Sequence, residues 1–272
     1  MILTVTHKTL YEFDSPVAGI IQSLRLTPAR CESQKIHNWA VAVPGAAMGE
    51  LFRDGAGDFI QTASLRAPVE HVEVTVSGTV ETIDTAGILR GHRERVPPQA
   101  YLRHTVRTEA NRAIRDLTIE ALAGMEDATG LERAHRLAAA VAEALPYRPG
   151  TTSAHTTAAE AMNEGAGVCQ DHTHVLIACA HMAGMPARYV SGYLNATDEI
   201  SADEASHAWT EIHVAGLGWV GFDVSNKICP NDQYIRLGSG LDAQDAAPIR
   251  GLVLGGAAER LAVTVVVEAQ QQ

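Results

Sequence analysis

The spacing of apolar residues changes near residue 96, and that change limits the folds open to the chain. From residue 1 to about 95 the period is two. The segments 2–6, 20–26, 35–43, 58–65 and 71–82 alternate or carry β-branched residues. Turn signals such as Asp14-Ser15-Pro16, Pro44-Gly45 and Asp54-Gly55-Ala56-Gly57 separate them. Together they predict an all-β unit. Val96-Pro97-Pro98 cannot continue a ladder, because proline has no amide hydrogen to donate. The expected division is therefore an N-terminal β domain at 1–96 and a second domain at 97–272.

Beyond the prolines the period becomes helical. Segment 101–117 is charged and helix-compatible, and Leu131, Ala134, Leu137, Ala138, Val141 and Leu145 mark one helical stripe that Pro146 ends. Thr129 with Glu132, and Thr157 with Glu160, have capping-box spacing, in which each side chain satisfies an orphan amide at a helix start. Segment 168–183 is apolar on nearly all sides and stops at Gly184-Met185-Pro186, the punctuation of a helix end. It predicts a buried helix with Cys169 at its start. Segments 187–194, 207–214, 219–224 and 261–267 read as strands. The second domain is thus expected to be α+β, with helices first and a mostly antiparallel sheet after them.

Composition narrows the function. A hydrophobic fraction of 46% and a charged fraction of 19% are those of an ordinary folded protein. The formal charge of -11 would repel phosphate backbones, so nucleic acid is not an expected partner. No apolar run reaches the roughly 18 residues of a membrane span, so no membrane partner is expected. The first residues alternate apolar and polar and do not have the form of a secretory signal. Cys31, Cys169, Cys179 and Cys229 lie far apart without CxxC spacing, which fits neither a disulfide framework nor a zinc ribbon. A reducing cytoplasm is the expected location.

Cys169 follows Gly165-Ala166-Gly167-Val168, whose glycines let the chain turn sharply into the helix. A helix N-terminus offers unpaired amides and a partial positive charge, which favour both a thiolate and a nearby oxyanion. A thiol nucleophile also needs an imidazole as base, and the imidazole needs an acceptor on its other nitrogen. His207 and Asp223 stand on adjacent predicted strands. They share a face only if the intervening loop has an odd length, as Ala215-Gly216-Leu217 would give. Trp209 would then stand opposite Asp223, with His207 its diagonal neighbour at roughly 7 Å. Glu211, four residues along the strand from His207, would be about 13 Å from it, so Asp223 is the expected acceptor and Glu211 a structural one.

The blocks GVCQDHTHV, SHAWTEIHV and GWVGFDVSN resemble, in order, the Cys, His and Asp blocks of the transglutaminase-like superfamily. ARYVSGYL at 187–194, the turn Tyr147-Arg148-Pro149-Gly150-Thr151 and LRLTP at 24–28 resemble its bacterial branch, which carries an extra N-terminal β domain. The resemblance implies a papain-like catalytic domain, with Cys169 as nucleophile, His207 as general base and acid, and Asp223 as orienter. It also implies a peptidase or amidase acting on a peptide or other amide substrate. Animal transglutaminases use an upstream tryptophan as oxyanion donor and require calcium. Here Trp39 is the only tryptophan before Cys169, it falls in the β domain, and no calcium loop is present in the sequence. No cofactor or metal is therefore expected, and the amide of Cys169 is the one oxyanion donor named.

Several alternatives remain open at this point. Amine transfer of the protein-glutamine type would use the same residues, and a catalytically inactive peptide-binding module would not use them. A zinc site would pair Cys169 with His172, although ligand pairs in known motifs are spaced more regularly. Trp209, Tyr193 and Asp171 are candidates for substrate contact. For Asp171 the alternative is bonding to helix-start amides; for Tyr193, with Arg188 and Tyr189, it is packing.

Overall fold

The computed structural model describes residues 1–195 and 205–270. Its period-two region builds two long strands, not four short ones. Strands β1 (Ile2–Leu24) and β5 (Phe59–Thr82) run antiparallel along nearly their whole length. The expected segments 2–6 and 20–26 fall in β1, except for residues 25 and 26, and 58–65 and 71–82 fall in β5, except for residue 58. Asp14-Ser15-Pro16 is not a chain reversal. The register slips between Glu12 and Val17 and again before Gly19, a bulge that takes up the proline without ending the strand. Strands β2 (Gln34–Ala42), β3 (Ala47–Met48) and β4 (Phe52–Arg53) pair with β5. Leu3, Val5, Val74, Val76 and Val80 form the buried face of this sheet.

Four helices follow: α1 (Arg112–Leu122), α2 (Gly130–Ala144), α3 (Ala158–Glu164) and α4 (Cys169–Met182). The expected helix over 101–117 begins late, because Pro98–Leu102 and Val106–Thr108 form tight 3-10 turns first. Asn111 then caps α1 by accepting from the Ile114 N–H at 3.0 Å. Both expected capping boxes form, Thr129 with Glu132 on α2 and Thr157 with Glu160 on α3. Helix α4 buries Val175, Leu176, Ile177 and Cys179 completely, as its all-round apolar surface demands. It packs on a second sheet of order β8-β7-β6-β9. Those strands are β6 (Ala187–Leu194), β7 (Ser206–Val214), β8 (Gly218–Phe222) and β9 (Tyr234–Gly240).

Sheet membership departs from the expected cut at residues 96 and 97. Strands β10 (Ile249–Leu254) and β11 (Glu259–Ala269) return to pair with β1, so the end of the chain completes the first sheet. Alternation in 261–267 marks a strand but carries no information on which open edge it joins. Strand β9 supplies the second sheet's fourth member and had no expectation attached to it.

A buried ionic network ties the two sheets together. Arg236 on β9 reaches Asp58, beside β5, at 2.7 Å and Glu211 on β7 at 2.9 Å. Arg188 on β6 bonds the same Glu211 at 2.7 Å and Glu94 at 2.6 Å. Its guanidinium lies over the Trp219 ring, 4.0 Å from the centroid. Burial alone would raise the Glu211 carboxyl, but the charges of Arg236 and then Arg188 outweigh it and hold the group at about 2. Glu211 therefore has the structural role the strand geometry assigned it.

Replacing Glu211 with Ala removes the anion shared by two buried guanidinium groups, and should cost about 3 kcal/mol by urea denaturation. A loss under about 1 kcal/mol, the level of an exposed pair, would show that the network does not hold the sheets. The depressed carboxyl also sets a pH window. Its contribution is complete above the ordinary value of 4.5 and is lost as pH falls from there toward about 2. The acid-side fall in the urea midpoint should therefore be shallower in Glu211→Gln than in the parent.

Candidate active site

The start of α4 is fixed by its own sequence. Gly165 ends α3 in the left-handed conformation at φ 70°. Two residues on, a Cβ at Gly167 would fall 2.7 Å from the Asp171 side chain, so only glycine lets that carboxylate fold back. Asp171 Oδ2 accepts from the Val168 N–H at 2.8 Å and from the Thr152 hydroxyl at 2.6 Å. The first helical bond runs from the His172 N–H to the Val168 carbonyl. The amides of Cys169 and Gln170 thus have no partner within the helix and are free to meet an anion.

Cys169 is half-buried and opens on a cleft of about 490 Å³ shared with Gln170, Tyr189, Ser191 and His207. His207, near the start of β7, is 8% exposed. Its Nε2 lies 2.6 Å from Asp223 Oδ2, which leaves Nδ1 without that partner on a ring that shares the cleft with the Cys169 thiol. The hairpin has the odd loop that this arrangement requires, with Val214 opposite Gly218 and Thr210 opposite Phe222. Strand β8 ends at Phe222, and Asp223 bridges instead to Ile228. Leaving the ladder lets the carboxylate close a diagonal separation that would otherwise be roughly 7 Å.

Asp223 is itself held from three sides. Besides His207, its Oδ2 accepts from the Tyr234 hydroxyl and from Asn226 Nδ2, each at 2.7 Å, and its Oδ1 accepts from the Asn226 N–H at 3.2 Å. Burial would raise this carboxyl, but His207 above all, then Asn226 and Tyr234, hold it below the ordinary range. Burial likewise opposes charge on His207. The Asp223 hydrogen bond and charge, followed by the contact with Cys169, outweigh burial and raise the imidazole to about 10.

Of the candidates for substrate contact, none faces the cleft. Asp171 is fully buried and spent on the helix start. Tyr193 is 1% exposed and bonds His7 Nδ1 at 2.8 Å, because two residues beyond Ser191 strand β6 meets the N-terminal sheet. Trp209 packs edge-on against Tyr234, with ring centroids 5.5 Å apart, and its ring fills the space where a side chain at Gly192 would sit. Tyr189 and Ser191 line the cleft in their place. Tyr234 and Asn226 were missed as supports of Asp223. Asn226 lies inside the GWVGFDVSN block, three residues after the carboxylate, and that spacing was the available signal.

The metal alternative does not match the side chains. His172 uses Nε2 against the Leu145 carbonyl at 2.7 Å and Nδ1 against the Ser225 hydroxyl at 2.8 Å, so neither nitrogen is left beside Cys169. Among the described residues no cluster of three or more His, Cys, Asp or Glu could hold an ion. Trp39 commits its indole N–H to the Leu26 carbonyl at 2.9 Å, well inside the first sheet.

Comparison with known proteins identifies the family. The family model described as "Transglutaminase-like superfamily" matches residues 115–224, and "Bacterial transglutaminase-like N-terminal region" matches residues 3–81. A protein of Mycobacterium leprae (strain TN), "Uncharacterized protein ML0607", is 30% identical over 284 residues, covering 97% of each chain. A Mycobacterium tuberculosis (strain H37Rv) protein is 26% identical over 92% of this chain and 86% of its own. A crystal structure from Cytophaga hutchinsonii superposes with a TM-score of 0.76 at 20% identity, covering 100% of this chain and 92% of that one. The chain has the mixed α+β fold of the Cytophaga structure, and it belongs to the transglutaminase-like superfamily in the bacterial form that carries an N-terminal β region.

Proposed function

We propose that this chain is a cysteine hydrolase of peptide or other amide bonds, with Cys169, His207 and Asp223 as its catalytic residues. The observation that carries the reading is an imidazole bonded to a buried carboxylate at 2.6 Å and lining one cleft with a thiol at a helix start, whose contact helps to raise it. In the proposed cycle the Cys169 sulfur attacks the amide carbonyl. Negative charge gathers on the carbonyl oxygen, where the free amide of Cys169 can donate to it. His207 passes its proton to the departing amine as the C–N bond breaks, leaving a thioester. It then takes a proton from water, whose oxygen attacks the thioester and releases the acid and the thiol. Asp223 keeps the ring oriented and supports its positive charge throughout.

Water is the favoured acceptor because the cleft opens to solvent beside exposed Ser206. An amine in its place would give the transglutaminase-type product from the same thioester. The Cytophaga protein is provisionally named a cysteine protease, which points the same way.

Burial pushes the Cys179 thiol up to about 11 and raises Cys31 and Cys229, so none of these should react readily. Iodoacetamide at neutral pH should therefore label Cys169 first, read by peptide mass spectrometry; even labelling across the four thiols would contradict the proposal. His207→Ala should lower amide turnover by roughly 10²-fold or more at unchanged far-UV circular dichroism. Asp223→Asn removes the charge that sustains the imidazolium. The alkaline edge of its pH–rate profile should then move to lower pH, toward the ordinary imidazole value, while an unmoved edge would remove Asp223 from the mechanism.

A further inference from the structure

We propose that two copies of this chain pair through the free edge of β11, antiparallel, with the two-fold axis at Thr264. This surface is separate from the cleft, and the inference does not depend on the catalytic reading.

Strand β11 is bonded on one side only. It pairs with β1 from Phe13 to Leu3, and among the described residues no strand occupies its other edge. The phase of that ladder shows which groups are left over. The Gln270 N–H bonds the Ile2 carbonyl at 2.9 Å, and the Asp14 N–H bonds the Ala258 carbonyl at 3.1 Å. Even-numbered peptide groups of β11 thus point at β1. The N–H and C=O groups of Leu261, Val263, Val265 and Val267 point outward, because direction alternates along an antiparallel strand.

An open edge of this kind is normally protected by a proline, an inserted charge or a bulge. Strand β11 has none of these along its centre. Its register with β1 runs without a slip, and Leu261-Ala262-Val263-Thr264-Val265-Val266-Val267 holds neither charge nor proline. Leu261, Val263 and Val266 are 56%, 43% and 39% exposed, on a segment of high strand propensity. Such an edge is a template for another strand.

The charges select a second copy and a single register. Only odd-numbered groups are free, so odd residues must face odd residues and the register can move only in steps of two. With the axis at Thr264, Leu261 faces Val267 of the second copy and Val263 faces Val265. Ala262 faces Val266, and Thr264 faces itself. Arg260 then faces Glu268 of the second copy, and symmetry makes that pair twice. Moving the axis to Val263 or Val265 places Arg260 opposite Val266 or Gln270 and loses both pairs. Arg260 and Glu268 meet at positions without ladder hydrogen bonds, where facing side chains approach most closely. Within the chain itself Glu268 stands across from Thr4, with no cation opposite it, whereas Arg260 stands across from Glu12.

Sedimentation equilibrium of the full chain over a range of concentrations tests the proposal. The parent should behave as a dimer. Glu268→Arg sets like charges against each other at both symmetric positions and should raise the dissociation constant roughly tenfold. Arg260→Glu should do the same, and the double exchange Arg260→Glu/Glu268→Arg should restore the parent value. Val263→Pro removes an N–H that makes no bond within the chain, so it should give a folded monomer by circular dichroism. A parent that stays monomeric would overturn the proposal, as would a dimer or larger species that Glu268→Arg leaves as tight as before. If Val263→Pro does not fold, the charge exchange decides alone: failure of the double variant to recover association counts against this register.

Discussion

A sulfur on a helix and an imidazole on a separate sheet can meet only if the start of that helix is held in place, and Asp171 is what holds it. Its carboxylate closes on the Val168 amide and the Thr152 hydroxyl, and Gly167 leaves the space for it to do so. With that carboxylate turned inward, the first amides of α4 stay free and point to where an anion would form. The same group that anchors the helix is therefore absent from the cleft, and among the described residues that line it there is no carboxylate.

The sheet side of the site depends on a second set of buried charges. Asp58, Arg236, Glu211 and Arg188 fix β9, β7 and β6 relative to the N-terminal sheet. Asp223, Asn226 and Tyr234 then fix the ring of His207 within that frame. The two sets occupy neighbouring strands but do not share a residue. One keeps the domains in register, and the other sets the charge of the base. The N-terminal sheet thereby contributes to the site without lending it a residue: its Asp58 closes the network under Arg236, and His7 closes the base of β6 through Tyr193.

Much of this was legible from residue patterns, and what was not has physical reasons. The helix start, the capping boxes and the odd hairpin loop follow from local rules, because each involves residues within a few positions of one another. The long strands look like separate pieces in the sequence because Asp14-Ser15-Pro16 signals a turn as readily as a bulge, and only the partner strand decides between them. The return of β10 and β11 to the first sheet could not be seen, since alternation is the same whichever edge a strand joins. Tyr193 and Trp209 suit substrate contact or packing equally in the sequence, because aromatic residues beside a catalytic block can take either role. Burial against His7 and Tyr234 shows that both pack. Tyr234 itself was out of reach, since nothing in its segment announced a strand.

Catalysis by these residues needs a positive imidazole, braced by Asp223 and sharing a cleft with the Cys169 sulfur. Following the His207 ring by nitrogen NMR through a pH titration of the intact protein measures that state directly. The ring should carry both protons through neutral pH and lose one only near pH 10. Loss of the proton near the ordinary histidine value of 6.5 would contradict the account, because His207 would then be an unassisted imidazole at the pH where it is asked to act.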